Sequence, residues 1–195
     1  MSNKAMTPPR LYRGVDRRVQ RTRVALARAL MELAPQYGFD ALEVRELTAR
    51  AGVGRSTFYK HYADKDDFLV SSFGGMVTAM DGHARRRSDY DTFLPAREVF
   101  AHVADAREFA RSLVTSGQYA RTQAGREEKL RALAEANLNA LRPGLTITER
   151  REIAVLLAGA FASLMRWWIE TGLRQPHAHI AELYESLARR AVPQA

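Results

Sequence analysis

Apolar residues along this chain recur at three- and four-residue intervals, and no segment sustains the two-residue alternation of a half-buried strand. That single periodicity restricts the chain to helices packed on helices. Val24, Leu26, Ala27, Leu30, Met31, Leu33 and Ala34 keep helical spacing until Gly38, with Asp16 placed to cap the start. Phe39, Ala41 and Leu42 form a buried connector. Short helices are predicted over residues 44–51 and 55–62. A longer one begins at Asp64, where Asp64, Asp66 and Asp67 favour the positive end of a helix dipole. It runs through Met76 and Met80 toward Arg85, Arg86 and Arg87. Residues 89–95 break the pattern. Further helices are predicted over 96–103, 107–116, 126–141, 148–171 and 177–191, the last three separated by Pro143-Gly144 and by residues 172–176. Thr146 and Glu149 have the spacing of a capping box. The predicted fold class is all-α, with no internal repeat.

Hydrophobic residues make up 46% of the 195, enough to build a core. The absence of cysteine excludes disulfides, thiolate catalysis and most structural zinc sites. Net charge is +8, which points to a polyanionic partner, nucleic acid or an anionic membrane surface. The excess is concentrated: residues 1–63 hold 12 Lys/Arg against 5 Asp/Glu, whereas residues 64–195 hold 18 against 17. A polyanion contact is therefore expected at the N-terminal end. The first residues carry no apolar run of signal-peptide type. The longest apolar run, residues 153–165, has 13 residues, short of the about 20 a spanning helix needs. The expectation is a soluble, cytoplasmic protein with no membrane partner. Its expected parts are a flexible basic arm over 1–15, a helix-turn-helix domain over 16–63 with its motif at about 43–62, and a helical regulatory and dimerisation domain over 64–195.

Residues 51–68, AGVGRSTFYKHYADKDDF, combine small residues, a bend, and aromatics threaded among cations. A phosphate-binding P-loop is excluded, because no lysine follows a second glycine at the required spacing. A metal site is disfavoured, because His61 has no ligand partner at suitable spacing. What fits is a tight turn between two short helices. Ala51 sits where the helices approach, Gly52 suits a left-handed residue past a helix end, and Val53 plugs the turn. Phe58 and Tyr62 share one face and pack inward. Arg55, Ser56, Thr57, Tyr59, Lys60 and His61 are left to point outward, as the residues of a recognition helix do in a major groove.

The stretch ALEVRELTARAGVGRSTFYKHYADKDDFL resembles the DNA-binding domain of the TetR/AcrR family of bacterial transcriptional regulators. Val44, Leu47, Ala51, Gly52, Val53, Thr57, Phe58, Tyr59, His61, Lys65 and Leu69 fall in register with the family pattern. The motif covers Arg17 to Leu69; the remainder resembles the family in length, helical content and an apolar penultimate helix. Three residues depart from the pattern. Glu43 stands for a capping threonine, Thr48 for a small apolar residue and Tyr62 for phenylalanine. A hydroxyl at position 48 or 62 requires a partner or exposure. The resemblance implies that Arg45 and Arg55 contact bases or phosphates, and that Ser56, Thr57, Tyr59 and His61 do likewise. It implies that Lys60 tunes sequence choice and that Lys65 contacts a phosphate. Arg10, Arg13, Arg17 and Arg18 are placed to reach a neighbouring minor groove or phosphates.

The resemblance also implies a C-terminal part that dimerises through its last two helices and holds a small-molecule pocket. In residues 153–168, Ala154, Ala158 and Ala162 form a small-residue stripe beside Gly159 and Ser163, suited to close helix approach. Leu156, Ala160, Leu164 and Trp168 form a second, apolar stripe, and a helix apolar on so many sides is expected to be buried all round, with a partner subunit as the natural cover. Leu183, Leu187 and residues 188–191 supply the opposing helix. Phe100, His102, Phe109, Tyr119, Phe161, Met165 and Trp168 are the candidate lining of a plastic apolar pocket. His177 and His179 give a weak metal hint and are read as surface residues. Arg85, Arg86 and Arg87 are read as a cluster at a helix end.

The function expected is a homodimeric, ligand-responsive, sequence-specific repressor on a near-palindromic double-stranded operator, released by a small apolar or amphipathic effector. The alternative is a helical ligand- or protein-binding module without DNA binding. No nucleophile–base pair, paired carboxylates or cofactor fingerprint appears, so neither an enzyme nor a cofactor is expected.

Overall fold

The computed structural model describes residues 17–87 and 93–193. The basic arm over 1–15, with Arg10 and Arg13, the capping role of Asp16 and most of the 89–95 break lie outside the described residues. The described chain is helical throughout, without strands: α1 (Arg17–Tyr37), α2 (Val44–Ala51), α3 (Arg55–His61), α4 (Lys65–Ala84), α5 (Ala96–Asp105), α6 (Arg107–Thr115), α7 (Gln118–Arg121), α8 (Gln123–Leu141), α9 (Ile147–Glu170) and α10 (His177–Ala191). The periodicity therefore located nearly every helix. It missed α7 and the first turn of α8. Residues 118–125 carry one aromatic, Tyr119, among polar and small side chains, without an apolar stripe. They become helical because Gly117 turns the chain at φ 70° and the Thr122 hydroxyl donates to Gln118 O at 2.9 Å.

Helix ends follow local chemistry. Asp64 accepts from the Asp67 amide at 2.8 Å and starts α4. Thr146 and Glu149 form the expected capping box at α9. At α2 the unusual Glu43 is accommodated by Glu46, whose carboxylate accepts from the Glu43 N–H at 2.9 Å. The buried Thr48 hydroxyl donates back to Val44 O at 2.8 Å, so it has its partner within its own helix. Gly52 lies at φ 65°, ψ 34°. The Val53 amide reaches Thr48 O and the Gly52 amide reaches Ala49 O, a Schellman closure that a Cβ at position 52 would strain.

Helices α1–α3 form an N-terminal head. Helix α4 leads from it into a body in which α8 and α9 pair as an antiparallel hairpin and α10 packs on α5 and α9. The core is continuous from head to body: Leu26, Leu30, Phe58 and Phe68 belong to the same buried cluster as Phe100, Phe161 and Trp168. Helices α4 and α8 approach closely at Gly125, where an added Cβ would lie 3.0 Å from both methyl carbons of Val70. Their pairing is also fixed by a buried polar cluster. Asn137 donates to Asp81 Oδ1 at 2.7 Å and to Phe93 O at 3.0 Å, while Arg85 donates to Asp81 Oδ2 at 2.7 Å. Arg86 donates to Gly82 O and Arg87 pairs with Glu98, so the arginine run is the helix-end cluster expected of it.

Helix α9 corrects two expectations. By length and composition it is apolar enough to cross a membrane, with a mean hydropathy of 1.4 over 18 residues, a length that the 13-residue apolar run understated. It is the central helix of the body, and Ala154, Leu157, Phe161, Met165 and Trp168 are buried in the core. Within one chain it is not buried all round, and the stripe expected to meet a partner is not the one left open. The Ala154, Ala158 and Ala162 stripe is turned inward, whereas Leu156 is 68% exposed and Trp167 45% exposed, along with Ala160 and Ser163.

Candidate nucleic-acid interface and internal cavity

The head's outward helix is fixed from behind by aromatic rings. Phe58 and Tyr62 point inward and meet Phe68 of α4, with centroid separations of 5.7 Å and 4.9 Å. Burial pushes the Tyr62 hydroxyl pKa up, against the opposing effect of Arg23, which hydrogen-bonds to it. The tyrosine that departs from the family pattern thus has its polar partner. Opposite this stack, Arg55, Ser56, Tyr59 and Lys60 are exposed, and Thr57 and His61 are half-buried. Arg45 on α2 is also exposed and lies 3.9 Å from Glu43. These side chains occupy the surface of the helix-turn-helix, as the sequence led one to expect.

Lys65 does not join them. Its ammonium donates to the carbonyls of Phe39, Asp40 and Leu42 and lies 5.0 Å from the Phe39 ring centroid. An ammonium has three N–H groups, and all are spent on the connector between α1 and α2. Lys65 is a clamp that holds α4 to the turn, which corrects its expected role as a phosphate contact.

The body contains a cavity of about 240 Å³. Its walls come from α1 and α4 of the head side and from α5, α6, α7, α8 and α9. Of the seven residues named from sequence, His102, Phe109, Tyr119 and Met165 line it. Phe100, Phe161 and Trp168 do not. They form an aromatic cluster in the core, with Phe100 tilted against Phe161 at 5.1 Å and edge-to-face with Trp168 at 5.6 Å, and the Trp168 indole N–H donates to Gln175 O. A wider groove of about 700 Å³ runs between α1, α4 and α8, but its cations, Arg23 and Lys129, stand in solvent. The smaller space is the better ligand site because buried polar groups converge on an apolar wall there.

The convergent group that the sequence did not single out is Arg126. It is 6% exposed, lies 3.5 Å from the Tyr119 ring centroid and donates to Tyr119 O at 2.6 Å. Burial lowers its pKa, and burial likewise lowers that of His102, against a weaker pull from Asp105. No pattern marks such an arginine; it reads as one cation among many. Next to it, α7 ties the cavity wall to the head. Gln118 donates to Asp66 at 2.7 Å and Arg121 pairs with Asp40. Among the described residues no cluster of acidic, histidine or cysteine side chains has metal-site geometry, and His177 and His179 do not form one.

An aromatic-anchored helix-turn-helix is joined to a helical body with an internal cavity. Residues 26–71 match the model of the bacterial regulatory proteins of the tetR family. That match covers the head and the start of α4, and over those residues the chain is similar to the TetR family of bacterial transcriptional regulators.

Among curated proteins, the chain is 39% identical over 56 residues to the uncharacterized HTH-type transcriptional regulator YxbF of Bacillus subtilis. It is 32% identical over 74 residues to an uncharacterized HTH-type transcriptional regulator of Haemophilus influenzae. The first match spans 28% of this chain and 15% of the relative; the second spans 36% of each. The chain thus matches well under half the length of these curated relatives. Whole-chain likeness comes from solved structures. Thermus thermophilus FadR, a TetR-family repressor in complex with lauroyl-CoA, has a TM-score of 0.59 at 20% identity over 89% of this chain and 97% of that one. Bacillus subtilis FadR in complex with stearoyl-CoA has a TM-score of 0.52 at 15% identity, over 87% and 99%. At these identities the structures establish the shared fold.

Proposed function

We propose that the protein is a homodimeric repressor that binds a near-palindromic operator through α3 and is released by an apolar or amphipathic effector in the α1–α9 cavity. The observation that carries this reading is the joint use of α1 and α4. Phe68 of α4 packs on Phe58 and Tyr62 of the recognition helix and its end, and Arg23 of α1 hydrogen-bonds to Tyr62, while Leu30, Met31, Leu69 and Met76 on the same two helices line the cavity. An occupant that spreads the cavity must therefore move the elements that aim α3, and its differential affinity for the two arrangements sets the response. Arg45, Arg55, Ser56, Thr57, Tyr59, Lys60 and His61 are the DNA-facing set. Acyl-CoA complexes of the two FadR structures support an effector with an apolar part.

Dimerisation uses the open stripe of α9, with Leu156 and Trp167, and the exposed Leu183 and Leu187 of α10. A patch of this kind on two adjacent helices is what a four-helix interface covers. Fluorescence anisotropy with the DNA preceding the protein's own gene tests the reading. Binding should weaken steeply with salt, because arginine and lysine contacts release counterions. Paired Leu156→Glu and Trp167→Glu substitutions should give monomers in sedimentation and lose tight operator binding. A salt-independent signal, or a monomeric wild type, would refute it.

A further inference from the structure

Among the described residues the cavity's one buried cation, Arg126, makes no ion pair, and Glu127, its neighbour in the chain, offsets its desolvation only in part. Arg126 is nine-tenths buried in an otherwise apolar wall, and among the described residues no carboxylate forms an ion pair with it. Its recorded hydrogen bond goes to a backbone carbonyl, Tyr119 O. Among the described residues no second acceptor meets the guanidinium. Stacking on Tyr119 and the more distant Phe73 ring, 5.9 Å away, supplies part of the missing stabilisation. A guanidinium desolvated without a counter-charge is costly, and its rigid fork suits a planar anion. We propose that the cavity takes a small amphipathic monocarboxylate, whose carboxylate is held by Arg126 and whose apolar part lies among Met76, Phe109, Met165 and Ile169.

Three observations narrow the class. The single buried guanidinium balances one negative charge, which disfavours polyanions. The space, about 240 Å³, is below the range of about 300–1,000 Å³ of pockets that enclose drug-sized ligands, so the occupant is compact. The second polar group, His102, is held toward its neutral form by burial and can donate one hydrogen bond without adding charge.

The same geometry gives the anion a route to the head. A carboxylate on the free donors of Arg126 repositions the same guanidinium that holds Tyr119 O. Tyr119 lies in α7, between Gln118, which holds Asp66 at the start of α4, and Arg121, which holds Asp40 beside the α1–α2 turn. Loosening Tyr119 thus loosens two head contacts at once. This proposal rests on the effector-responsive reading and specifies its chemistry.

The test is a head-group series of one chain length on the full-length protein: octanoate, 1-octanol, octylamine and octanoyl-CoA, read by titration calorimetry. Octanoate should bind about tenfold or more tighter than octanol, with octylamine weakest. Arg126→Gln should erase the preference for octanoate over octanol, and Arg126→Lys should retain only part of it. Equal affinity for octanoate and octanol in the wild type overturns the proposal. So does tighter binding of octanoyl-CoA than of octanoate, or no binding by any of the four. The wild-type series needs no variant, so misfolding of Arg126→Gln does not protect the idea. Anisotropy of the DNA complex without any compound is read in parallel. Its absence would sink the operator reading, while the calorimetry still decides the carboxylate.

Discussion

The head and the cavity side of the body differ in how far they close their buried polar groups. In the head, each unusual polar residue is closed locally. Thr48 bonds its own helix, Glu46 answers Glu43, Tyr62 meets Arg23, and Lys65 spends its donors on three carbonyls. In the body, Arg126 faces a cavity with one carbonyl partner, and α9 keeps an apolar stripe open. On the proposed function, a reading head has to hold one geometry to present α3, and a sensing body has to leave something unsatisfied for an effector or a second subunit to complete.

The largest expected effect breaks the head's rigidity. Phe58 is fully buried and touches the rings of Tyr59, Tyr62 and Phe68. Phe58→Ala should destabilise the protein by about 3–5 kcal/mol in urea denaturation, through lost burial and the remaining cavity. A cost near 1 kcal/mol would mean that the stack is not what holds α3.

Two cations separate structure from DNA contact. Lys65→Ala leaves three carbonyls short of a donor and should cost about 1–3 kcal/mol of stability. Arg55 is exposed, so Arg55→Ala should leave the melting temperature unchanged while weakening specific operator binding by about 1–3 kcal/mol. The opposite assignment, a stability loss for Arg55 and a pure affinity loss for Lys65, would restore Lys65 as a phosphate contact.

The same contrast governs how much could be read without coordinates. The head was legible because its determinants are local: a glycine past a helix end, aromatics four apart, an aspartate before a helix. Even there Lys65 misled, since its partners lie 23–26 residues earlier in the chain. The body depends on non-local packing. Periodicity placed α9, but neither the direction of its alanine stripe nor the open face followed from spacing, because both depend on where α8 and α10 pack. Phe100, Phe161 and Trp168 looked like pocket aromatics and turned out to be core, whereas Arg126 gave no signal at all.

In the body, filling space should be tolerated where the head would not tolerate it. Ala110 is buried at the cavity wall. Ala110→Leu should keep or raise stability by about 1 kcal/mol, as added apolar surface leaves water, and should abolish the response to effectors in the anisotropy assay. Destabilisation by more than about 1 kcal/mol, as overpacking of a filled core produces, would show that the space is not free.

The smallest effect concerns the start of α3. Gly52 and Gly54 look alike in sequence but differ in backbone. Gly52 needs its left-handed conformation, whereas Gly54 caps α3 at φ −68°, ψ 142°, a region open to any residue. A Cβ at position 54 would meet only the Ser56 and Thr57 hydroxyl oxygens at 3.8 Å, an ordinary contact. No side chain now caps this helix. Gly54→Ser supplies an oxygen able to accept from the Ser56 or Thr57 N–H, and serine outranks glycine at this position by a few tenths of a kcal/mol. Denaturation should therefore show a gain of about that size, with operator binding retained because the DNA-facing side chains are untouched. A loss of stability would show that the α2–α3 turn depends on glycine at both positions, and that the head is more strained at the DNA surface than its backbone angles imply.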